Sequence, residues 1–280
     1  MNIHIPEPDR LRALLAEGRL LVLPCPYDGL SARMVARAGF PAAFMGGYAV
    51  AAGRFGWPDI GLVTPTEMLE SARTIIRASG LPILVDGDTG YGGDANIART
   101  ITDLAQAGAA AVMIEDQTWP KRCGHLPGKT VVGRDEAVAR IRAAVAASES
   151  TPTRPLILAR TDARAIMGMD EALARVRAFA AAGADLLFLE APESEEEMRA
   201  FTTATSLPCL ANMLAGGQTP RLPHERLTEL GFAMVAYPLD LIGASAAALE
   251  TTLESLGETS GSPIKQHAEL LEITRFARER

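Results

Sequence analysis

The chain has 280 residues, of which 48% are hydrophobic and 22% are charged, and its formal net charge is -7. This length and apolar content suffice for one large core, whereas the acidic balance excludes the sequence-wide basic surface of a protein that binds nucleic acid or anionic membranes. The first twenty residues contain no apolar run typical of a signal peptide, and the spacing of Cys25, Cys123 and Cys209 favours neither disulfides nor zinc. We therefore expect a cytoplasmic protein with reduced thiols.

Eight short apolar runs alternate along the chain with Ala-, Leu- and Arg-rich stretches of helical period. Each run has the composition of a buried parallel strand. The predicted strands are Leu20–Leu23, Ala42–Met45, Ile83–Asp86, Ala111–Glu115, Leu156–Arg160, Leu186–Glu190, Cys209–Asn212 and Met234–Tyr237. This regular alternation predicts eight consecutive βα units and a parallel sheet.

Glycine and proline mark the ends of these units in alternation. A glycine ends the helix before each even-numbered strand, as a left-handed helix end favours, and a proline precedes the third, fifth and seventh strands. The expected fold class is therefore α/β, a closed (β/α)8 TIM barrel that forms a single domain over residues 1–280. An open doubly wound sheet is the alternative, but no predicted strand is followed by a Gly-rich dinucleotide fingerprint.

Polar side chains stand where five consecutive predicted strands end, although the strand interiors are apolar. They are Asp86, Asp88, Glu115, Asp116, Arg160, Thr161, Asp162, Glu190 and Asn212. Each of them alone is explained equally well by a helix cap, an ion pair or a turn. Capping does not explain why all of them belong to one end of the barrel, which is the end where the active sites of this fold lie.

Two of these residues form an Asp-Gly-Asp sequence that suits a hard cation. Asp86 and Asp88 flank a glycine at a strand end, so both carboxylates can reach one ion directly or through water. Oxygen ligands without a nearby Cys or His favour Mg²⁺ or Mn²⁺ over zinc. Glu115, at the end of the next strand, is placed to hold a metal-bound water.

Residues 121–125, Lys-Arg-Cys-Gly-His, set a thiol among basic side chains in a loop. The positive charges of Lys121, Arg122 and His125 should favour the thiolate of Cys123, as they do for reactive cysteines. Such a thiol could give or take a proton, or attack a carbon. The alternative is a solvated basic loop in which the cysteine has no chemical role.

Four motifs in this order resemble the isocitrate lyase/phosphoenolpyruvate mutase superfamily: residues 86–92, 121–125, 159–163 and 212–213. The resemblance extends from Tyr27 to about Pro238, and the combination is specific although no single motif is. It implies a (β/α)8 barrel, a bound Mg²⁺ for which Mn²⁺ can substitute, the enolate of an α-oxo acid, and a mobile loop over the site. The lyase branch has a cysteine that phosphonomutases and oxaloacetate decarboxylases lack, so Cys123 favours carbon–carbon cleavage.

The resemblance also implies roles for individual residues. The metal residues would be Asp86, Asp88 and, in the outer shell, Glu115. The catalytic residues would be Cys123, as the general acid, with Lys121, Arg122 and His125. The substrate-binding residues would be Gly46, Gly47, Asp59, Gly124, Arg160, Glu190 and Asn212. One departure is Met45, which stands where many relatives have Ser or Thr before the glycine pair.

Residues 213–220 limit the substrate, because they are small and apolar where an enzyme for a tricarboxylate would be expected to offer polar groups. A smaller, alkyl-bearing 2-hydroxy dicarboxylate such as a 2-alkylmalate is therefore expected, and the stretch is most similar to the group of 2,3-dimethylmalate lyase and petal death protein. The resemblance also leaves methylisocitrate, a tricarboxylate, among the substrates to be considered. Three hypotheses remain: an oxo-acid lyase; oxaloacetate hydrolysis or phosphonomutase chemistry on the same scaffold; and a non-catalytic metabolite-binding barrel.

The C-terminus bears on assembly. A stretch over Leu241–Leu256 looks like the last barrel helix, residues 257–263 resemble a linker, and a second helical pattern covers Ile264–Arg280. The superfamily resemblance implies exchange of C-terminal helices between barrels. We therefore expect a homo-oligomer, a tetramer made of two dimers, in which residues 264–280 pack on a partner subunit. The alternative is a terminal helix that folds back on its own domain.

Overall fold

The computed structural model describes residues 5–124, 128–257 and 267–274. Its centre is a sheet of eight parallel strands: β1 (Leu21–Pro24), β2 (Ala43–Met45), β3 (Ile83–Asp86), β4 (Ala111–Glu115), β5 (Leu156–Thr161), β6 (Leu186–Leu189), β7 (Cys209–Asn212) and β8 (Met234–Tyr237). Hydrogen-bonded ladders follow the order β1-β8-β7-β6-β5-β4-β3-β2. Since β1 also lies beside β2, the sheet nearly closes on itself, and the predicted barrel is confirmed.

Helices surround this barrel. They are α1 (Glu7–Ala16), α2 (Gly29–Arg37), α3 (Gly47–Val50), α4 (Pro65–Ser79), α5 (Asp94–Ala107), α6 (Arg134–Glu149), α7 (Arg164–Met167), α8 (Met169–Ala181), α9 (Glu195–Thr203), α10 (His224–Glu229), α11 (Asp240–Gly257) and α12 (His267–Thr274). A π-helical turn, Ala51–Phe55, continues α3. Within the described ranges, no helix is both long enough and apolar enough to cross a bilayer.

The sequence predicted all eight strands, and their ends differ from the prediction by at most one residue. The four glycines before the even strands, at positions 39, 108, 183 and 231, have φ between 82° and 97°, so each adopts the left-handed conformation expected of it. The remaining differences are small. For example, β6 ends at Leu189, so that Glu190 follows the strand instead of ending it.

Strand side chains alternate between two apolar layers. One layer fills the barrel, with Leu23, Leu84 and Leu158 fully buried in it. The other layer, which includes Val85 and Leu187, packs beneath the surrounding helices. Because the barrel interior is filled by apolar side chains, only its ends can present polar groups, and a site must lie at one of them.

The helix α1 covers the amino-terminal end of the barrel. Leu11 is fully buried in the inner layer. Arg10 and Arg12 donate hydrogen bonds, each of 3.0 Å, to the carbonyls of Gly80 and Arg154, which precede β3 and β5. The carboxyl end of the barrel is thereby left as the end that can admit a ligand.

The helix α11 lies where the sequence predicted the last barrel helix, but much of its apolar surface is not covered. Leu249, Leu253 and Leu256 are 60%, 67% and 75% exposed. Their spacing places them on one face of the helix. A groove of about 850 Å³ lies between α2 and the start of α11 and is lined by Leu30 and Met34 among others. An exposed leucine stripe beside an apolar groove favours association.

The C-terminal helix is described over His267–Thr274, where Ile273 is buried and the helix lies against α2 of the same chain. Residues 264–266 and 275–280 of the predicted terminal helix lie outside the described residues. The packing of this segment on a partner subunit stays a prediction.

We expect the double substitution Leu249→Asp/Leu253→Asp to dissociate a homotetramer, because it places charge in the apolar stripe of α11. Light scattering at micromolar concentration measures the mass of the unsubstituted chain, of this variant and of a chain that ends at Ser262, which should also be smaller. Thr251→Asp introduces the same side chain at another exposed position of α11 and serves as the control. A monomeric unsubstituted chain, or variants that remain tetrameric, would contradict the expectation.

Candidate active site

The polar residues predicted from the strand ends meet at the carboxyl end of the barrel. Most of them border a cavity of about 60 Å³. Its lining includes Gly46, Gly47, Asp59, Asp86, Glu115, Lys121, Arg122, Cys123, Gly124, Arg160, Glu190 and Asn212. The strand register explains part of this convergence, since Glu115 of β4 stands directly opposite Arg160 of β5. Of the predicted site residues, His125 lies outside the described residues.

Lys121 is buried among carboxylates. Its Nζ lies 2.5 Å from Asp59 Oδ1 and 2.7 Å from Asp88 Oδ1. Burial alone would lower the pKa of the Lys121 ammonium, but the charges of Asp88 and Asp59 raise it well above its ordinary value. The sequence predicted Lys121 as a cation that acts on the thiol. In the structure its charge is instead paired with two carboxylates.

Hydrogen bonds hold the carboxylates of Asp86 and Asp88 in place. Asp86 accepts hydrogen bonds from the backbone N–H of Gly47 (2.9 Å) and of Asp88 (3.0 Å). The Tyr91 hydroxyl donates to Asp88 Oδ2 (2.8 Å), and Asp88 has a φ of 49°, which is rare for a residue other than glycine. Burial, together with the charge of Asp88, raises the pKa of Asp86 to about 6.

Arg160 is the second buried cation of the site. Its guanidinium contacts Asp162 (2.8 Å), Glu190 (3.0 Å) and Glu115 (3.4 Å), and it lies over the ring of Phe188. Burial raises the pKa of Glu115 well above its ordinary value, although the charge of Arg160 opposes this shift. A guanidinium held in this way is oriented in advance for a carboxylate ligand.

The charges at this end of the barrel do not balance. Six buried or nearly buried carboxylates face three buried cations: Asp59, Asp86, Asp88, Glu115, Asp162 and Glu190 against Lys121, Lys129 and Arg160. Glu115 Oε1 is buried and receives no hydrogen bond, and Asp88 Oδ1 faces the Lys121 ammonium without hydrogen-bond geometry. This excess of negative charge and these oxygens suit a divalent cation.

The geometry further restricts the kind of cation that fits. No group of three or more His, Cys, Asp or Glu side chains in the described ranges is arranged to hold a metal ion by itself. Mg²⁺ fits this arrangement, because it retains several water ligands and is usually bound through one or two carboxylates. Asp86 and Asp88 could supply these carboxylates. Glu115 could then bind a coordinated water, as predicted.

The loop that carries Cys123 lies over this cavity. The thiol of Cys123 is partly exposed. Gly124 sits so close to the site that a β-carbon there would lie 2.5 Å from both Arg160 Nη2 and Glu190 Cγ, so no other residue fits without displacing them. The side chain of Arg122 is exposed and lines the cavity entrance. The close packing of the Gly124 backbone against Arg160 and Glu190 therefore places the adjacent Cys123 at the cavity.

Two further predicted residues have partners that the sequence did not indicate. The Gly47 N–H, expected to face a substrate carboxylate, donates to Asp86. Asn212 Nδ2 donates to Glu190 Oε1 (3.3 Å), so these two substrate-binding candidates are linked. The side chain of Met45 is buried in the layer beneath the helices. Its departure from the Ser or Thr of relatives therefore places no thioether in the cavity.

Several residues that shape the site received no role from the sequence. They are Tyr91, Gln117, Lys129 and Asp162. Tyr91 and Asp162 lie within the motifs that carry the resemblance, and Asp162 is also one of the polar residues at the strand ends, but neither position indicates which group its side chain contacts. Lys129 is one of three lysines in an acidic chain, which is a weaker signal. Gln117 gave none, since its partners are backbone groups.

Comparisons with known proteins agree with this geometry. The family model described as phosphoenolpyruvate phosphomutase matches residues 11–256. The chain is 41% identical over 257 residues to 2,3-dimethylmalate lyase of Eubacterium barkeri, covering 90% of this chain and 88% of that protein. It is 43% identical over 242 residues to 2-methylisocitrate lyase of Halalkalibacterium halodurans, covering 86% and 79%. A structure of oxaloacetate acetylhydrolase is similar with a TM-score of 0.92 and 35% identity, covering 96% of this chain and 94% of that one.

We expect thiol reagents to distinguish Cys123 from the other two cysteines. Burial raises the pKa of Cys209 to about 12 and that of Cys25 further still, so at pH 8 roughly one Cys209 in ten thousand is a thiolate. Iodoacetamide at pH 8 followed by peptide mass mapping should show fast alkylation of Cys123 alone. Equal rates at all three cysteines would contradict this expectation.

Proposed function

The chain belongs to the phosphoenolpyruvate mutase/isocitrate lyase superfamily, as its motifs predicted, and on that premise we propose that it is a metal-dependent carbon–carbon lyase. The observation that carries the proposal is the seating of Gly124 against Arg160 and Glu190, because it brings the adjacent Cys123 to a mouth rich in carboxylates. Cleavage of the bond between two carboxylate-bearing carbons requires a proton donor for one fragment and a group that binds the substrate anion.

The proposed substrate is a 2-hydroxy dicarboxylate with an alkyl substituent. Its charged groups suit Arg160 and the cation site, and Asn212 and Glu190 can orient its polar atoms. The cavity wall that would meet the alkyl group is apolar: Phe44, Met113, Phe188, Leu210, Leu214, Ala236, Pro238 and Leu239. An added methylene in such a wall changes binding by only about 1 to 3 kcal/mol, so we propose a range of 2-alkylmalates as substrates. Methylisocitrate, whose third carboxylate this apolar wall does not match, is the weaker candidate.

The residues of the chain supply the proton transfers. One of the carboxylates at the barrel mouth takes the proton of the substrate 2-hydroxyl, the bond from C2 to C3 breaks, and C2 becomes the carbonyl carbon of an α-oxo acid such as pyruvate. The electron pair of that bond remains on the second fragment, as an enolate of its carboxylate. The Cys123 thiol then donates the proton that completes this fragment.

A divalent ion at Asp86 and Asp88, when bound, would act as a Lewis acid on the substrate oxygens, an effect on the order of several kcal/mol. We propose Mg²⁺, with Mn²⁺ as a substitute, because the donors are oxygens and two carboxylates suffice. Lys121 would hold Asp59 and Asp88 in place beside it. We further propose that the enzyme is a cytoplasmic homotetramer, which is supported by the apolar stripe of α11 and by the lack of disulfides within the described ranges.

We expect binding of the metal ion to strengthen as the pH rises through the pKa of Asp86. This carboxyl titrates near pH 6 and must lose its proton before it can hold a cation, so at pH 5 about nine-tenths of it is protonated. Titration calorimetry with Mn²⁺ should give a Kd about tenfold lower at pH 7 than at pH 5. Asp88→Asn should weaken binding at both pH values, and excess chelator should abolish turnover.

The matched control for this experiment is Asp94→Asn, the same chemical change at an exposed residue of α5. It should bind Mn²⁺ like the unsubstituted chain. Full turnover in excess chelator, or an Asp88→Asn variant with unchanged Mn²⁺ affinity, would refute the metal assignment.

The function itself is tested with a panel of 2-alkylmalates, 2-methylisocitrate, oxaloacetate and phosphonopyruvate, assayed with Mg²⁺ for pyruvate, oxalate and phosphoenolpyruvate. Cys123→Ser should lower cleavage of the preferred 2-hydroxy dicarboxylate by roughly a hundred- to ten-thousand-fold, the cost of losing a general acid. A partly exposed loop thiol packs little, so we expect the free energy of unfolding to change by less than about 1 kcal/mol.

Other outcomes of the panel point to other functions. The likeness to oxaloacetate acetylhydrolase favours oxaloacetate hydrolysis as the second candidate, and oxalate as the main product would establish it. Phosphoenolpyruvate from phosphonopyruvate would indicate a mutase. Near-normal kcat in Cys123→Ser would remove the main support for a lyase, and no turnover of any compound would favour a metabolite-binding barrel.

A further inference from the structure

Cys123 is held from both sides through the backbone of its neighbours in the chain. The residues before and after it, Arg122 and Gly124, each have backbone groups bonded to a side chain from another part of the loop. These two side chains are those of Gln117 and Lys129, and neither belongs to the proposed catalytic or metal-binding residues.

Gln117 fixes the residue before the thiol with two hydrogen bonds. Its Oε1 accepts from the N–H of Arg122 and its Nε2 donates to the Arg122 carbonyl, both at 2.9 Å. Gln117 is itself buried, its carbonyl accepts from Arg140 (2.8 Å), and it pairs across the base of the loop with Val131. An amide that satisfies both backbone groups of one residue leaves that residue little freedom.

Lys129 fixes the residue after the thiol. Its Nζ donates to the carbonyl of Gly124 and to Asp162 Oδ1 (2.9 Å), and the side chain is buried. Asp162 is fully buried and also accepts from Arg160 Nε (2.8 Å), while Asp116 accepts from the Asp162 backbone N–H (2.9 Å). The loop backbone is thus tied through Asp162 to the same guanidinium that is expected to bind the substrate.

We propose that Gln117 and Lys129 are positioning residues that set the location of the Cys123 thiol relative to Arg160. A general acid must lie within hydrogen-bond reach of the atom it protonates, and a displacement of about 1 Å can cost about a hundredfold in rate. The side chain of Cys123 is short, so the backbone of residues 122 and 124 largely sets the location of its thiol. This inference rests on the proposed role of Cys123 as the proton donor.

The test compares Gln117→Met and Lys129→Met, which remove the hydrogen bonds while keeping similar length and volume. Gln106→Met is the matched control, since Gln106 is exposed on α5. Two quantities are measured for each protein. The first is the rate of Cys123 alkylation by iodoacetamide without substrate, and the second is kcat and KM for the substrate that the panel identifies. Each variant is also made in the Cys123→Ser background.

If the proposal is right, both variants alkylate at Cys123 at least threefold faster, because the loop backbone is released. Their kcat falls by about ten- to a hundredfold, and for Gln117→Met, which does not touch Arg160, KM stays within about threefold. In the Cys123→Ser background neither substitution lowers kcat further, because the group they position is already gone. Gln106→Met leaves all of these values unchanged.

A purely structural role gives a different result. If Lys129 only neutralises Asp162, its loss lowers kcat equally in both backgrounds, and the proposal fails for that residue. Alkylation rates that do not change in either variant overturn the proposal whatever the activity. Should Lys129→Met fail to fold, Gln117→Met, which leaves no buried charge unpaired, decides the outcome alone.

The failure of the proposed function would look different again. If Cys123→Ser keeps its full activity, the thiol is not the proton donor, and the proposed mechanism is wrong. The alkylation rates still show whether Gln117 and Lys129 hold the loop, because that measurement requires no turnover.

Discussion

The burial of six carboxylates at one end of a barrel is the constraint on which the rest of the site depends. Charges removed from water are costly unless they are paired, and three cations cannot pair with six anions. The structure responds in two ways. Lys121 and Arg160 each contact more than one carboxylate, and burial raises the pKa values of Asp86 and Glu115, so that both carboxyls take up a proton more readily than in water. A divalent cation would offset the same excess of charge while leaving both groups ionised.

The barrel tolerates this concentration of charge because its interior and its amino-terminal end are apolar and closed. The strands fill the centre with leucine, alanine, methionine and phenylalanine side chains, and Leu11 of α1 completes that packing from below. The close approach of two backbones also explains why a glycine separates Asp86 from Asp88. A β-carbon at Gly87 would lie 2.7 Å from the carbonyl of Met113, which the Gly87 N–H contacts at 2.9 Å. Glycine therefore lets β3 and β4 approach closely just where the two aspartates diverge.

The residues of the proposed site stand on two kinds of structural element. The groups proposed to bind the metal ion and the substrate anion stand on strand ends, which the sheet holds rigidly, whereas the proposed acid stands on a loop, which the sheet does not hold. Buried polar side chains compensate for this difference, since Gln117 and Lys129 bond the backbone on either side of Cys123. The fully buried pair of Arg175 and Asp116 anchors this arrangement, because Asp116 also accepts from Thr161 and from the Asp162 backbone. The loop is thereby connected to the outer helices as well as to the barrel.

The sequence by itself determined the eight strands and the end of the barrel at which the site lies. Apolar runs, glycine helix ends and prolines are local signals, and parallel strands always place their carboxyl ends together. Tertiary structure alone decided which charges meet. Lys121 and Asp59 are 62 positions apart and Lys129 and Asp162 are 33 apart, and no local pattern encodes either contact. The role of Gln117 could not be predicted either. Its side chain bonds backbone groups, which every residue has, so no particular residue type in the sequence indicates its partner. The exposed face of α11 likewise required the fold, because an apolar helix stripe looks the same in a sequence whether its own barrel or another surface covers it.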